Sequence, residues 1–417
     1  MGAMPHHVIL GGGIAGHHAA LTLREVGFDG WVTMIGAENI VPYDRTALSK
    51  GFLLGTRALD SLRFQSPERY AHLGIDLLLG TRATAVDFNR RLVTLDTGEN
   101  IGFTHLLIAT GATPVRLRQP GFDLPGVHYL RTLADAEGMR AQLAGAERVL
   151  VVGAGFVGCE VAATTRMLGR QVTLADPLPV PMMGVLGEQI GRVYGAIHRR
   201  HGVDLRMGSA VVELRGHGRV EEAVLGDGTR IPCDLVAVGI GVRPRVSIFS
   251  DAALKIDDGI VVDEFCATTI PGVYAAGDVA QWWHPGAKQF LRVEHFDNAA
   301  RQGAAAARNM AGQHARYAPV PYFWSDQYNI NLQSLGHPGA GDQLVVRGDL
   351  EEASFTVFFL RQGYVQGAVI VNRTREARPA RRLIEVGARL EPAALADPAT
   401  DLRALAKQFD GFAAQSD

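Results

Sequence analysis

Cysteine is scarce in this chain. Three occur in 417 residues, Cys159, Cys233 and Cys266, and they lie far apart. No C-x-x-C pair exists, which excludes a zinc ribbon and a dithiol redox centre and fits a reduced, cytosolic setting. Lysine is nearly as rare: only Lys50, Lys255, Lys288 and Lys407 occur, and the rest of the 41 basic residues are arginine. A charge excess is missing too. The net charge of −2 argues against a nucleic-acid footprint, which needs a basic stripe. No apolar run reaches the roughly 18 residues of a membrane span. The first apolar stretch, "HVIL", follows no basic n-region and carries no cleavage site, so no signal peptide is expected. What remains is ordinary globular composition, 47% hydrophobic and 20% charged. At roughly 100–200 residues per domain, the length suggests two to four domains.

Glycine is where the information lies. "HVILGGGIAGHHAALTLREVG" reads as strand, turn and helix, with Gly11, Gly13 and Gly16 in G-x-G-x-x-G spacing and Ala15 inside it. "ERVLVVGAGFVGCEVAATTRMLG" repeats the pattern with Gly153, Gly155 and Gly158, and with Phe156 and Val157 at the same turn. Such glycines permit a tight turn, close approach of backbone to a pyrophosphate and close helix–strand packing. The helix N-terminus then favours the phosphate charge. Each loop runs into a second strand ending near an acid, Glu38 in "WVTMIGAEN" and Asp176 in "QVTLADP". A carboxylate at that point can bond ribose hydroxyls. Asp176 would repel a 2′-phosphate and is followed by Pro177 and Leu178 rather than arginine, so NADH is expected over NADPH. Two loops predict two dinucleotides.

The second dinucleotide is expected to be FAD. "LLIATGATP", with Ala109, Thr110 and Gly111, and "TTIPGVYAAGDVA", with Asp278, are apolar strands ending in small residues. Asp278 is placed to accept a hydrogen bond from a ribitol hydroxyl. Either segment alone also reads as a core strand and turn.

With these stretches, the chain resembles the FAD-dependent ferredoxin reductases that serve oxygenases, among them aromatic-ring dioxygenase components and the putidaredoxin and rhodocoxin reductases. The resemblance extends to "PYDRTALSK", "VAVGIGVRP" (Gly239, Ile240, Gly241), "RVEHFDNAARQG", "PYFWSDQYNINLQSLG" and the tail "LADPATDLRALA". It departs at Thr46 and Ala47, where the family usually has prolines, at His295, where serine is commoner, and at Phe296, often tryptophan. The pyridine-nucleotide acid is more often Glu than Asp176.

The resemblance implies an α/β fold of two Rossmann-like dinucleotide domains, glutathione-reductase-like, plus a C-terminal α/β domain covering the flavin. It places FAD on residues 1–112 and 244–318, NAD on 113–243, and the last domain on 319–417. A Pro-rich junction, "YAPVPYF", independently marks that last boundary. Beyond it, strands are expected with turns at Gly348 and Gly363.

The implied activity is an NADH:ferredoxin oxidoreductase. It takes a hydride from NADH onto FAD and passes single electrons to an acidic [2Fe–2S] ferredoxin serving a ring-hydroxylating dioxygenase or a cytochrome P450. By resemblance, Lys50 lies beside the flavin and pairs with Glu160, which orients the nicotinamide carboxamide. Arg45, Glu294, His295 and Trp324 fall in flavin-contacting segments. Read alone, Lys50 is equally a surface lysine, Trp324 a core tryptophan and His295 a structural histidine. Disulfide reductases need a cysteine pair, and peroxidases and CoA-disulfide reductases a single cysteine near "LSKG"; neither is present. Rubredoxin reductases and apoptosis-inducing-factor-like sensors remain as alternatives. No metal site is expected, and the chain is read as a monomer or homodimer.

Overall fold

In the computed structural model, residues 4–249, 253–285, 287–339 and 341–409 are described. The chain divides into two compact units, Met1–Asp44 with Leu59–Thr113 and Val242–Pro319, and Arg45–Ala58 with Pro114–Gly241 and Val320–Asp417.

The first unit is built on a five-stranded parallel sheet in the order Val273–Ala275, His105–Ile108, His6–Leu10, Trp31–Gly36 and Ile75–Leu79. Its central strand is buried at every position from His7 on, because helices cover both faces of a parallel sheet. Helix Ile14–Glu25 packs against helix Phe296–Met310. Their contact is close: a Cβ on Gly303 would lie 2.2 Å from the Ala15 carbonyl oxygen. A three-stranded antiparallel insertion, Ala83–Asp87, Leu92–Leu95 and Asn100–Gly102, precedes the strand His105–Ile108.

The second unit repeats this plan. Its parallel sheet runs Asp204–Met207, Gln171–Asp176, Arg148–Val152, Leu235–Val238 and Val127–Tyr129. An antiparallel insertion again precedes a strand of the parallel sheet, here Leu235–Val238, and is formed by Val211–Arg215, Glu222–Leu225 and Arg230–Pro232. The tandem glycine loops thus announce a duplicated architecture, including its insertions.

The C-terminal part is a five-stranded antiparallel sheet, ordered Tyr322–Gln327, Ile330–Gly336, Tyr364–Val371, Ser354–Arg361 and Gln343–Asp349. Alternation of side chains splits its residues between two cores. Phe355, Val357, Phe359, Val369 and Val371 join the core of the second dinucleotide sheet, with Val151, Tyr194 and Ile197. Phe358, Leu360, Ala368 and Ile370 face a separate core with Leu383, Leu395 and Leu402. That shared core explains why the C-terminal sheet and the second dinucleotide region form one compact unit. The segment Arg45–Ala58, read from sequence as part of 1–112, also groups here, with Leu53 in the shared core.

Of the two expected turns, Gly363 lies in the loop between two strands, with φ of 84°. Gly348 does not turn the chain. It sits inside Gln343–Asp349, paired with Phe355, and the reversal comes at residues 350–353. Glycine is needed there for close approach, since a Cβ would lie 2.5 Å from the Ser354 carbonyl oxygen.

Candidate functional site

The two glycine loops have the same geometry. Gly11 takes φ of 136°, and a Cβ there would lie 2.0 Å from the Ala109 carbonyl oxygen; Gly153 takes φ of 97°, with the Gly239 carbonyl oxygen at 2.4 Å. The third glycines are equally pinned, Gly16 against the Gly11 carbonyl oxygen at 2.0 Å and Gly158 against that of Gly153 at 1.8 Å. The middle glycines differ. Gly13 and Gly155 cap their helices with extended backbone, and a Cβ on either would meet nothing within 4 Å. Each loop is therefore tight on its protein side and open at the helix N-terminus, the form a pyrophosphate requires. The residues fit a dinucleotide at both places. The structure also explains the paired segments Ala109–Gly111 and Gly239–Gly241: each forms the wall against which its loop's first glycine is pressed.

The two acids are not equivalent. Register pairs Leu10 with Ile35 and Val152 with Ala175, so Asp176 corresponds to Gly36 and Glu38 lies two residues further on. Glu38 Oε2 accepts a hydrogen bond from the Tyr43 hydroxyl at 2.7 Å. Asp176 accepts the Ala154 N–H on Oδ2 at 2.7 Å and the Leu178 N–H on Oδ1 at 2.8 Å. Its carboxylate thus braces the second glycine loop.

In the first unit, Asp278 sits in the 3-10 turn Gly277–Val279, and its carbonyl accepts a hydrogen bond from Arg292 at 3.4 Å. Glu294 pairs with Arg292. His295 caps helix Phe296–Met310, and burial holds its imidazole down at about 4, against the opposing pull of Asp278. It is neutral near pH 7.

The second unit gathers the remaining polar residues. Glu160 lies in the first turns of the helix Phe156–Met167 and is 5% exposed. Lys50 Nζ donates to its Oε2 at 2.9 Å. A buried carboxylate needs such compensation, which answers why one of the few lysines stands in "TALSK". The Ser49 hydroxyl donates to the same oxygen, and the Ser325 hydroxyl donates to Oε1 at 2.8 Å. The Ser49 carbonyl is itself held by the Thr164 hydroxyl at 2.8 Å, one turn along the same helix. Ser49 and Ser325 are absent from the residues read off the sequence. Ser49 had a signal, its place beside Lys50; Ser325 had none, because its partner lies far away in the chain.

Phe156 packs edge-on against Phe323, with ring centroids 4.8 Å apart, while Val157 is exposed. Trp324 lies on the opposite side of its strand from Ser325, stacked beside Tyr322. Arg45 donates to the Arg131 carbonyl at 3.3 Å. Cys159 and Cys233 are buried, and burial raises both thiols, Cys233 to about 12. Cys266, in the first unit, is equally buried. No cluster able to hold a metal ion occurs among the described residues.

The description "Pyridine nucleotide-disulphide oxidoreductase" matches residues 5–303, and "Reductase C-terminal" matches 322–406. The first match spans most of the chain. The chain belongs to the pyridine nucleotide-disulphide oxidoreductase family. Within this family it is 40% identical to the anthranilate 1,2-dioxygenase system ferredoxin–NAD(+) reductase component of Burkholderia cepacia, over 95% of this chain and 98% of that one. It is 38% identical to the 5,5′-dehydrodivanillate O-demethylase ferredoxin reductase subunit of Sphingobium sp. (strain NBRC 103272 / SYK-6), over 96% and 99%. Among solved structures, the covalent putidaredoxin reductase–putidaredoxin complex matches with a TM-score of 0.94 at 35% identity, covering 97% of this chain and 99% of that one. This member of the disulphide oxidoreductase family lacks a cysteine pair of its own.

Proposed function

We propose that the chain is the flavoprotein reductase of an oxygenase system, an NADH:ferredoxin oxidoreductase. Bound FAD supplies the chemistry, accepting two electrons together as hydride and releasing them singly. The observation that carries this reading is the buried Glu160 with its Lys50 partner, on the helix that opens at the second glycine loop. The chain has no C-x-x-C pair to receive electrons, and in this reading they pass on to another protein. The ferredoxin-reductase relatives and the putidaredoxin reductase–putidaredoxin complex support a [2Fe–2S] ferredoxin in that role, and through it a ring-hydroxylating dioxygenase or a cytochrome P450.

The residues divide the work. Gly11, Gly13, Ala15 and Gly16 receive the FAD pyrophosphate, with Glu38, Arg45, Ala109–Gly111, Asp278, Glu294, His295 and Trp324 as further FAD contacts. Gly153, Gly155, Phe156, Val157 and Gly158 receive that of NADH, with Gly239–Gly241 as the wall. Asp176 selects NADH by repelling a 2′-phosphate. Glu160 orients the nicotinamide, and Lys50 holds Glu160 and supplies a positive charge where negative charge arrives. The domains are assigned as 1–112 with 244–318 for FAD, 113–243 for NAD, and 319–417 as the C-terminal domain. The ferredoxin is acidic and docks on arginines.

The test is to mix the yellow protein with NADH without oxygen, then add an oxidised [2Fe–2S] ferredoxin while following absorbance. Bleaching followed by ferredoxin reduction is the expected result. Bleaching without transfer to any of several ferredoxins overturns the reading in favour of a rubredoxin reductase or a redox sensor.

A further inference from the structure

Glu160 stands at the end of a longer chain of hydrogen bonds, all within the second unit. The Ser325 hydroxyl that donates to Glu160 accepts the Gln327 amide Nε2–H at 3.2 Å. Gln327 Oε1 faces His198 Nε2 at 3.0 Å, and His198 Nδ1 faces the Tyr328 hydroxyl at 3.1 Å. Each side chain but the last has both its ends engaged, so the direction of donation is determined. Gln327 spends its amide hydrogens on Ser325 and on Met182 Sδ at 3.8 Å. Its oxygen must then accept, so His198 carries its proton on Nε2. His198 Nδ1 is left to accept from Tyr328. Every donor points toward the carboxylate, and such aligned chains polarise one another.

The components are committed to this arrangement. Ser325 and Gln327 are 0% and 1% exposed, and His198 is 0% exposed. Burial lowers the His198 imidazole to about 4, in keeping with a neutral ring. Tyr328 holds φ of 57°, a backbone region costly for a bulky residue. It stacks face to face on His201 at 3.6 Å.

The arithmetic at Glu160 gives the chain a purpose. A carboxylate offers about four acceptor positions. Ser49 and Lys50 occupy Oε2, and Ser325 occupies one position on Oε1. Among the described residues, one position on Oε1 remains.

We propose that Ser325, Gln327 and His198 are positioning residues for the pyridine nucleotide: they fix the plane of Glu160 so that the remaining Oε1 position receives the carboxamide N–H of the nicotinamide. This rests on the reading of Glu160 given above. His198, on the part of Met183–Arg200 that follows the break at Gly187, then sets nicotinamide affinity without touching the ligand.

The experiment titrates the FAD-loaded, oxidised enzyme with NAD+, following the flavin spectrum, in the wild type, Glu160→Gln, His198→Leu, His198→Gln and the Glu160→Gln/His198→Leu double variant. Glutamine places an amide donor near the Nε2 position and serves as the conservative rescue. The expected result is about tenfold weaker NAD+ binding in His198→Leu, recovery to within about twofold in His198→Gln, and no further loss in the double variant over Glu160→Gln alone. A purely structural role for His198 would give an additive double variant, and that result, or unchanged affinity in His198→Leu, overturns the proposal while leaving Glu160 in place. Unchanged affinity in Glu160→Gln overturns the reading of Glu160 and this proposal together. Should His198→Leu fail to fold, Gln327→Leu breaks the same chain and is judged by the same criteria.

Discussion

Lys50 illustrates how a single residue acquires meaning from its neighbours. Its side chain is 20% exposed against 7% for Glu160, so removing the ammonium leaves a mostly buried carboxylate with two hydroxyl donors. Lys50→Met is expected to slow flavin bleaching by NADH at least tenfold in anaerobic stopped flow, while the purified protein keeps its full FAD absorbance. A change of less than a few-fold would remove Lys50 from hydride positioning. Asp176→Asn keeps a similar shape but loses the charge and one of two acceptors for the loop amides. Its ratio of kcat/KM for NADH over NADPH should fall by about tenfold; an unchanged ratio would end the ribose assignment. At this scale the sequence was only partly legible. Lys50 and Glu160 could be paired through the family resemblance. Gln327 could not, because a polar residue in an alternating strand reads as solvent-facing, and neither could His198, a helix residue whose partners are brought to it only by packing of distant segments.

Among the elements, the glycine loops were the most legible, because every constraint on them is local. They also allow a clean separation of binding from folding. Gly155→Ala adds a methyl to open space on extended backbone; it should cost under about 1 kcal/mol of stability yet weaken NADH binding markedly. Gly158→Ala drives a methyl to 1.8 Å from the Gly153 carbonyl oxygen, so it should destabilise by about 1–3 kcal/mol. Chemical denaturation beside NAD+ titration distinguishes the two, and equal stability losses would contradict the geometry. Gly348 was misread for a related reason: glycine marks both turns and close approaches within strands, and the sequence alone does not say which. The C-terminal segment depends on one buried cation. Arg347, 4% exposed, pairs with Glu376 and donates to the carbonyls of Leu395, Asp397, Pro398 and Thr400. Arg347→Met leaves these acceptors and Glu376 short of partners, with an expected loss of about 3–5 kcal/mol and early proteolysis near residue 397.

For the whole molecule, buried histidines set the response to acid. Burial is the leading cause that lowers His7 to about 3 and His17, His198 and His295 to about 4. The unfolded chain takes up these protons near pH 6.5, whereas the folded chain resists until its lower values are reached. Stability is therefore full above about pH 6.5 and falls as pH drops toward 4, on the order of 1 kcal/mol per pH unit for each histidine. Guanidinium melts at pH 7.5 and pH 5 should show a clearly lower midpoint at pH 5; equal midpoints would mean that these rings are protonated in the native state. The duplicated sheets were legible at this scale from the two loops. The merging of the C-terminal sheet with the second dinucleotide region was not, because a shared core depends on which face of each strand is turned where.

That merging bears on how the protein is made. Arg45–Ala58 leaves the ribosome early, yet the unit it joins is completed only by the last quarter of the chain. Residues such as Leu53, Val151 and Tyr194 must wait for Phe355 and Val371 before their shared core closes. Such distant pairings fold slowly and leave apolar surface open meanwhile. A truncation before residue 320 should therefore remain a client of chaperones rather than yield a smaller working reductase, and translation of the final strands is the step that releases the nascent chain from that dependence.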